Sequence, residues 1–184
     1  MNLHIPISIW QKLRLYAELS LPNEVTGIGT ISVLDPNNLL VTETFLPRQE
    51  TSPGFCEFAD GELNQIIHDL IERDPESGAS RLRFRWHSHG LGGVFWSPHD
   101  ESDIESWEAS WVVNLVMNVY GECLTRLDCF EPLRIREHPI KLCIDYPEDP
   151  ALRAACSQEL REKLFAMSAA KRTYRKEDPA DGLL

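Results

Sequence analysis

Apolar positions change their period several times along this chain, and each change marks an element. Residues 8–19 carry apolar side chains at helical spacing behind Ser8, a good N-cap, and predict a first helix. Residues 24–34 and 39–46 predict two strands joined by Asp35-Pro36-Asn37-Asn38, a strong turn signal. Residues 48–58 are polar, contain Pro53 and Gly54, and predict a loop. In residues 60–73, Leu63, Ile66, Ile67, Leu70 and Ile71 form one apolar stripe, the pattern of a second helix that residues 75–80 end.

Residues 81–87 alternate strictly, with Leu82, Phe84 and Trp86 on one face and Arg83, Arg85 and His87 on the other. His89 continues the second face, and Gly90, Gly92 and Gly93 then break the pattern into a loop. Ser97 opens another helix as its N-cap, with Pro98 at the first helical position and Asp100 three residues after the cap. Glu101, Asp103 and Glu105 add negative charge where the helix dipole favours it. Residues 111–120, 122–130 and 133–145 predict three further strands. Pro147 and Pro150 mark the domain edge, residues 151–171 a helix, and residues 172–184 a polar tail. This order predicts an α/β or α+β layered domain over residues 1–147, a mixed sheet flanked by helices, followed by a C-terminal helix and frayed tail over residues 148–184.

Composition narrows the partners. At 184 residues the chain is long enough to bury a core, and a net charge of −11 argues against nucleic acid as the main partner. The small basic cluster Lys171, Arg172, Arg175 and Lys176 reads as a dipole-matched helix end, and Arg81, Arg83 and Arg85 as partners of local carboxylates. Five cysteines, Cys56, Cys123, Cys129, Cys143 and Cys156, show no C-x-x-C spacing and read mostly as small buried hydrophobes, which fits a reducing compartment. No apolar run reaches membrane-spanning length and no signal peptide pattern opens the chain, so the expected location is cytoplasmic, away from membranes.

The chemistry sits in His87-Ser88-His89, seven residues, then Ser97-Pro98-His99-Asp100. Histidines two apart at a strand end face the same side of the sheet, so both imidazoles can close on one ion. Asp100, from the next element, supplies a third ligand; three protein ligands and one open position is the composition of a catalytic Zn²⁺ site. The plainer alternative is that Ser97 and Asp100 only cap the helix and that both histidines are ordinary. His99 points a quarter-turn from Asp100 and lines the cleft, His4, His68 and His138 read as surface or capping residues, and Phe95 and Trp96 either contact substrate or pack under the loop.

This spacing resembles the signature of the JAMM (MPN-plus) zinc metallopeptidases, H-[ST]-H-x7-S-x2-D with an upstream glutamate. Asn23-Glu24-Val25-Thr26-Gly27 is similar to the family's upstream E-x-x-G element, and the resemblance covers residues 5–145. It implies a free-standing JAMM/MPN-like, cytidine-deaminase-like layered domain in which His87, His89 and Asp100 bind Zn²⁺. It further implies that Glu24 is the general base and that Ser97 steadies the oxyanion. Arg85 stands where family members commonly carry an aromatic, and Gly90 where many carry proline; both border the cleft and bear on substrate choice.

Three functions follow from the resemblance. The first is hydrolysis of an isopeptide or peptide bond at the C-terminus of a ubiquitin-like modifier, whose extended tail would lie along an exposed strand. The second is the same chemistry on another amide, such as a sulfur-carrier protein precursor or a conjugate of a bacterial defence system. The third is a non-catalytic scaffold, disfavoured because Glu24, His87, His89, Ser97 and Asp100 are all present.

Overall fold

The computed structural model describes residues 1–163, and its contacts divide the chain into two units, residues 1–146 and 147–184. The first unit runs β1 (Asn2–Pro6), α1 (Ile7–Leu19), β2 (Thr26–Asp35), β3 (Asn38–Phe45), β4 (Gln49–Ser52) and β5 (Phe55–Phe58). It continues with α2 (Glu62–Arg73), a 3₁₀ turn (Ala79–Arg81), β6 (Leu82–Ser88), α3 (Pro98–Glu105), β7 (Trp111–Met117), β8 (Cys123–Cys129), β9 (Ile135–Glu137) and β10 (Lys141–Asp145). The second unit contributes α4 (Pro150–Lys163). The rest of its predicted helix, the cluster Lys171, Arg172, Arg175 and Lys176, and the tail lie outside the described residues.

Eight strands form one curled mixed sheet in the order β10-β1-β3-β2-β6-β7-β8-β9, flanked by helices; β4 and β5 pair separately. β6 lies near the middle, antiparallel to β2 and parallel to β7. On one face Leu13 of α1 packs with Leu3, Ile5, Phe84, Trp86, Val113, Leu115 and Met117. On the other, Leu63, Ile66, Ile67 and Leu70 of α2 close over Ile28 and Leu82. Trp86 is fully buried in the larger cluster, so truncating it to alanine should cost about 3–5 kcal/mol.

Several expectations need correction. α1 begins at Ile7 behind Pro6, with no side-chain cap, so Ser8 is its second residue rather than its N-cap. Residues 48–58 form the β4–β5 hairpin, because backbone pairing satisfies that polar segment without an apolar face. Residues 133–145 are two strands, β9 and β10, parted around Pro139 and placed at opposite edges of the sheet. Pro139 lacks the N–H that a continuous strand would donate. β1 is an unforeseen strand that pairs with β3 and β10. Ile71 is 45% exposed, off the buried stripe. Leu82 joins the α2 cluster rather than the face of Phe84 and Trp86, because the register slips between Gly29 and Thr30, opposite Leu82 and Phe84. That bulge inserts Arg83 as an extra residue and turns Leu82 to the side of Arg83, Arg85 and His87. None of the five cysteines is fully buried, and Cys156 is exposed.

Among the described residues no helix is long and apolar enough to cross a membrane.

Candidate metal centre and its cleft

Three elements deliver the site. β6 carries His87 to its C-terminal end, and the backbone of His89 donates to Met117 O on β7, which extends the strand pairing by one residue. Gly90 then turns with φ of +50°, a conformation open to glycine, and its carbonyl accepts from Val119 N. Ser97 caps α3: its hydroxyl accepts from Asp100 N at 3.1 Å, while Asp100 Oδ2 accepts from Ser97 N at 2.7 Å. The capping box is therefore present, and it coexists with the cluster rather than replacing it. It spends one carboxylate oxygen on the backbone and holds the other toward His87.

His87 Nε2 lies 3.1 Å from His89 Nε2 and 3.2 Å from Asp100 Oδ1, and His89 Nε2 lies 3.8 Å from Asp100 Oδ2. Donor atoms about 2.0–2.1 Å from a tetrahedral ion stand roughly 3.3–3.4 Å apart; the two edges at His87 come close to this, and the edge from His89 to Asp100 is longer. His89 Nδ1 meets Gly93 O at 2.9 Å; a proton there leaves Nε2 with its lone pair toward the cluster. Burial pushes His87 below the ordinary imidazole value, toward the neutral form a metal needs. His89 is also held back by burial, but its contacts with Asp100 and Gly93 O outweigh this and raise it. Burial opposes the charge of Asp100 as well, and the histidines and the Ser97 N–H override it, holding that carboxyl well below its usual range.

Glu24 precedes β2 and borders the same cleft as His89, Ser97 and Asp100. Its backbone is pinned by its N–H to Ser52 O of the hairpin at 2.9 Å. Burial is the main reason its pKa is raised; Asp100 adds to that and His89 and His99 oppose it. Two residues missed by the sequence reading hold this arrangement. Ser88, wholly buried between the histidines, accepts from Val25 N at 3.1 Å and donates its own N–H to Val25 O at 2.8 Å, tying the Glu24 segment to the end of β6. Asn118 donates to Gly92 O at 3.0 Å and steadies the glycine loop. The hydroxy position of the His-Ser-His motif was a signal for the first; nothing local marks the second. Gly27 is required by packing: a Cβ there would stand 2.5 Å from Trp86 Nε1 and 2.7 Å from Phe45 O.

His99 lines the cleft and meets the Phe55 ring at a tilt, with centroids 4.9 Å apart, outside the ligand cluster. Phe95 is 57% exposed with its ring against His89, whereas Trp96 packs beside His87 and beneath Arg126. His4 bonds Asp145 and Asn38, and His138 meets Thr125 O. His68 groups with Asp69 and Glu72 on the exposed face of α2, without the burial of the β6 cluster. Cys56 lines the cleft, but burial, reinforced by Glu24 and Asp100, pushes its thiol up to about 12, so it is no thiolate nucleophile.

No family model matches this chain, and no curated protein matches it. Among solved structures it is similar to the solution structure of protein DSY2949 from Desulfitobacterium hafniense. The two share 17% identity at a TM-score of 0.52, over 78% of this chain and 94% of that one. That likeness concerns the fold alone.

Proposed function

We propose that this protein is a zinc-dependent metallopeptidase that cuts an amide bond at the C-terminus of a ubiquitin-like modifier, in deconjugation or precursor processing. The observation that carries the reading is the convergence of His89 Nε2 and Asp100 Oδ1 on His87 Nε2, at 3.1 and 3.2 Å, in a cleft that Glu24 also borders. When bound there, Zn²⁺ supplies Lewis acidity and a water acidic enough to ionise near neutral pH.

The side chains divide the remaining work. Glu24, a carboxylate whose proton affinity is raised by burial, accepts a proton from the attacking water and returns it to the departing amine. Ser97 uses its oxygen as acceptor for Asp100 N, which leaves its hydroxyl proton to steady charge on the scissile carbonyl. The β4–β5 hairpin lends residues of β5 to the cleft, and an extended tail laid beside it would add a strand.

The test is hydrolysis of ubiquitin-like conjugates and linear fusions by the purified chain. Activity should vanish with a chelator and return with Zn²⁺. Glu24→Gln should keep stoichiometric zinc and lose turnover at least about a hundredfold, and His87→Ala should lose both metal and activity. Full activity in Glu24→Gln would remove the assigned base. A folded protein that takes up no zinc would leave the scaffold alternative standing.

A further inference from the structure

The cleft of about 750 Å³ contains two arginines whose charge the fold neutralises poorly, Arg83 not at all and Arg85 only through one long ion pair. Beyond the bulge, β6 turns Arg83, Arg85 and His87 to one wall. Arg83 lies over the Trp111 ring at 5.6 Å and forms no ion pair or hydrogen bond with any described residue. Arg85 lies over the Trp107 ring at 5.0 Å; its ion-pair partner, Asp103, is 3.6 Å away, long for a hydrogen bond, and is shared with His99 at 3.7 Å. Arg83 Nε and Arg85 Nη1 are buried without acceptors. Glu57, Asp60 and Glu108 border the same cleft, yet none pairs with either guanidinium.

We infer that this wall is a carboxylate-binding subsite, in which Arg85, seconded by Arg83, receives a carboxylate carried by the substrate close to the bond that is cut. Its role in choosing substrate rests on the peptidase reading; the binding itself does not. A guanidinium over an indole ring can still turn its N–H edge to the two oxygens of a carboxylate. A single negative charge suits the wall, since Asp103 already takes part of Arg85 and other carboxylates border the cleft, which disfavours a phosphate dianion. Side chains two apart on a strand stand about 6.6 Å apart, so Arg85 is one such step from His87 and Arg83 one step further. An extended peptide has the same repeat, which assigns the carboxylate to a residue within about two positions of the scissile bond. It is either the free α-carboxylate of a short released segment or the side chain of a flanking Asp or Glu.

The probes are N-acetyl-glycylglycine against its C-terminal amide, and N-acetyl-glutamic acid amide against the glutamine analogue. Each is titrated into the full chain, zinc-loaded and chelator-stripped, following the arginine Nε–H signals by NMR. At least one acid should bind about tenfold tighter than its neutral twin in both metal states, and the pair that discriminates identifies the source of the carboxylate. Arg83→Gln should shrink the preference several-fold and Arg85→Gln abolish it. Equal binding of acid and neutral probes overturns the subsite, as does a preference undiminished in Arg83→Gln or one that survives Arg85→Gln. A preference seen only with zinc assigns the carboxylate to the metal and also overturns it. Should Arg85→Gln fail to fold, the wild-type comparison and Arg83→Gln decide alone. Loss of zinc uptake or hydrolysis would sink the peptidase reading while leaving the stripped-protein result intact.

Discussion

Arg126 on β8 and the pair Arg83 and Arg85 on β6 all lie over indole rings beside the proposed centre, yet their surroundings treat them oppositely. Arg126 is 1% exposed, grips both oxygens of Glu101 at 2.6 and 2.9 Å, bonds Asp128 at 2.8 Å, and lies 4.5 Å from the Trp96 ring centroid. Arg136 joins from β9, holding Asp128 at 2.9 Å and Glu101 at 2.8 Å. Burial opposes the charge of Arg126, but Glu101 and Asp128 outweigh it and raise its pKa, whereas Arg83 and Arg85 are lowered. A satisfied buried network fixes one geometry; guanidinia with N–H groups left without acceptors are ready for a ligand. The satisfied set ends on Glu101, next to Asp100 along α3, and so braces the helix that delivers the carboxylate ligand.

The largest test of this contrast is Arg126→Gln. It leaves Glu101 with Arg136 alone and Asp128 with Arg136 and the Asn114 amide, and breaking a buried pair from one side costs about 3–5 kcal/mol. Urea unfolding should show that loss, and zinc affinity should fall with it, while Arg126→Lys should recover part of both. A destabilisation under about 1 kcal/mol would put Arg126 in the same class as the β6 arginines.

Next in size is the acid dependence of the same network. The Arg126 hydrogen bond, chiefly, holds Glu101 below the ordinary glutamate value. A depressed carboxylate contributes stability above its unfolded pKa of about 4.3 and loses it as pH falls through the folded value. Stability should therefore drop on acidification below about pH 5, and the drop should be shallower in Glu101→Gln. An identical acid profile in the variant would mean that the Glu101 contacts contribute nothing net.

What the sequence made legible was what is local. The strand alternation, the glycine turn and the capping box each span a few residues, so the segments carrying His87, His89, Ser97 and Asp100 could be placed before any tertiary contact was known. Features that depend on distant partners were missed. β1 offers only Leu3 and Ile5 as an apolar pattern and becomes a strand because β3 and β10 supply its edges. The hairpin at β4 and β5 has no buried face to announce it. The bulge at Arg83 exists only in register with β2, and the Arg126 clamp joins residues 25 apart in the chain. The expectation that Arg81, Arg83 and Arg85 pair with local carboxylates holds for Arg81, which meets Asp74 at 3.0 Å, only loosely for Arg85, and not for Arg83.

Arg85→Met sharpens the comparison from the other side. Methionine keeps the packing on Trp107 and relieves a desolvated charge whose ion pair is long. Replacing such a charge by an apolar group of similar length should leave stability unchanged or raise it by up to about 1 kcal/mol. A loss above about 2 kcal/mol in urea would mean that the 3.6 Å contact with Asp103 is a structural pair after all.

Arg83→Gln should have the smallest effect on stability. The side chain sits on a bulge, is partly exposed, and offers only its stacking on Trp111. Glutamine retains much of the stem that covers that ring and removes no hydrogen bond, so the change should stay within about 0.5 kcal/mol by urea unfolding. The value of so small a number lies beside Arg126. A residue that costs nothing to remove, yet holds an unpaired charge in a cleft of an acidic chain, has no structural reason to be arginine. If Arg83→Gln instead destabilises by more than about 1.5 kcal/mol, the guanidinium is part of the framework and the contrast with the β8 clamp fails.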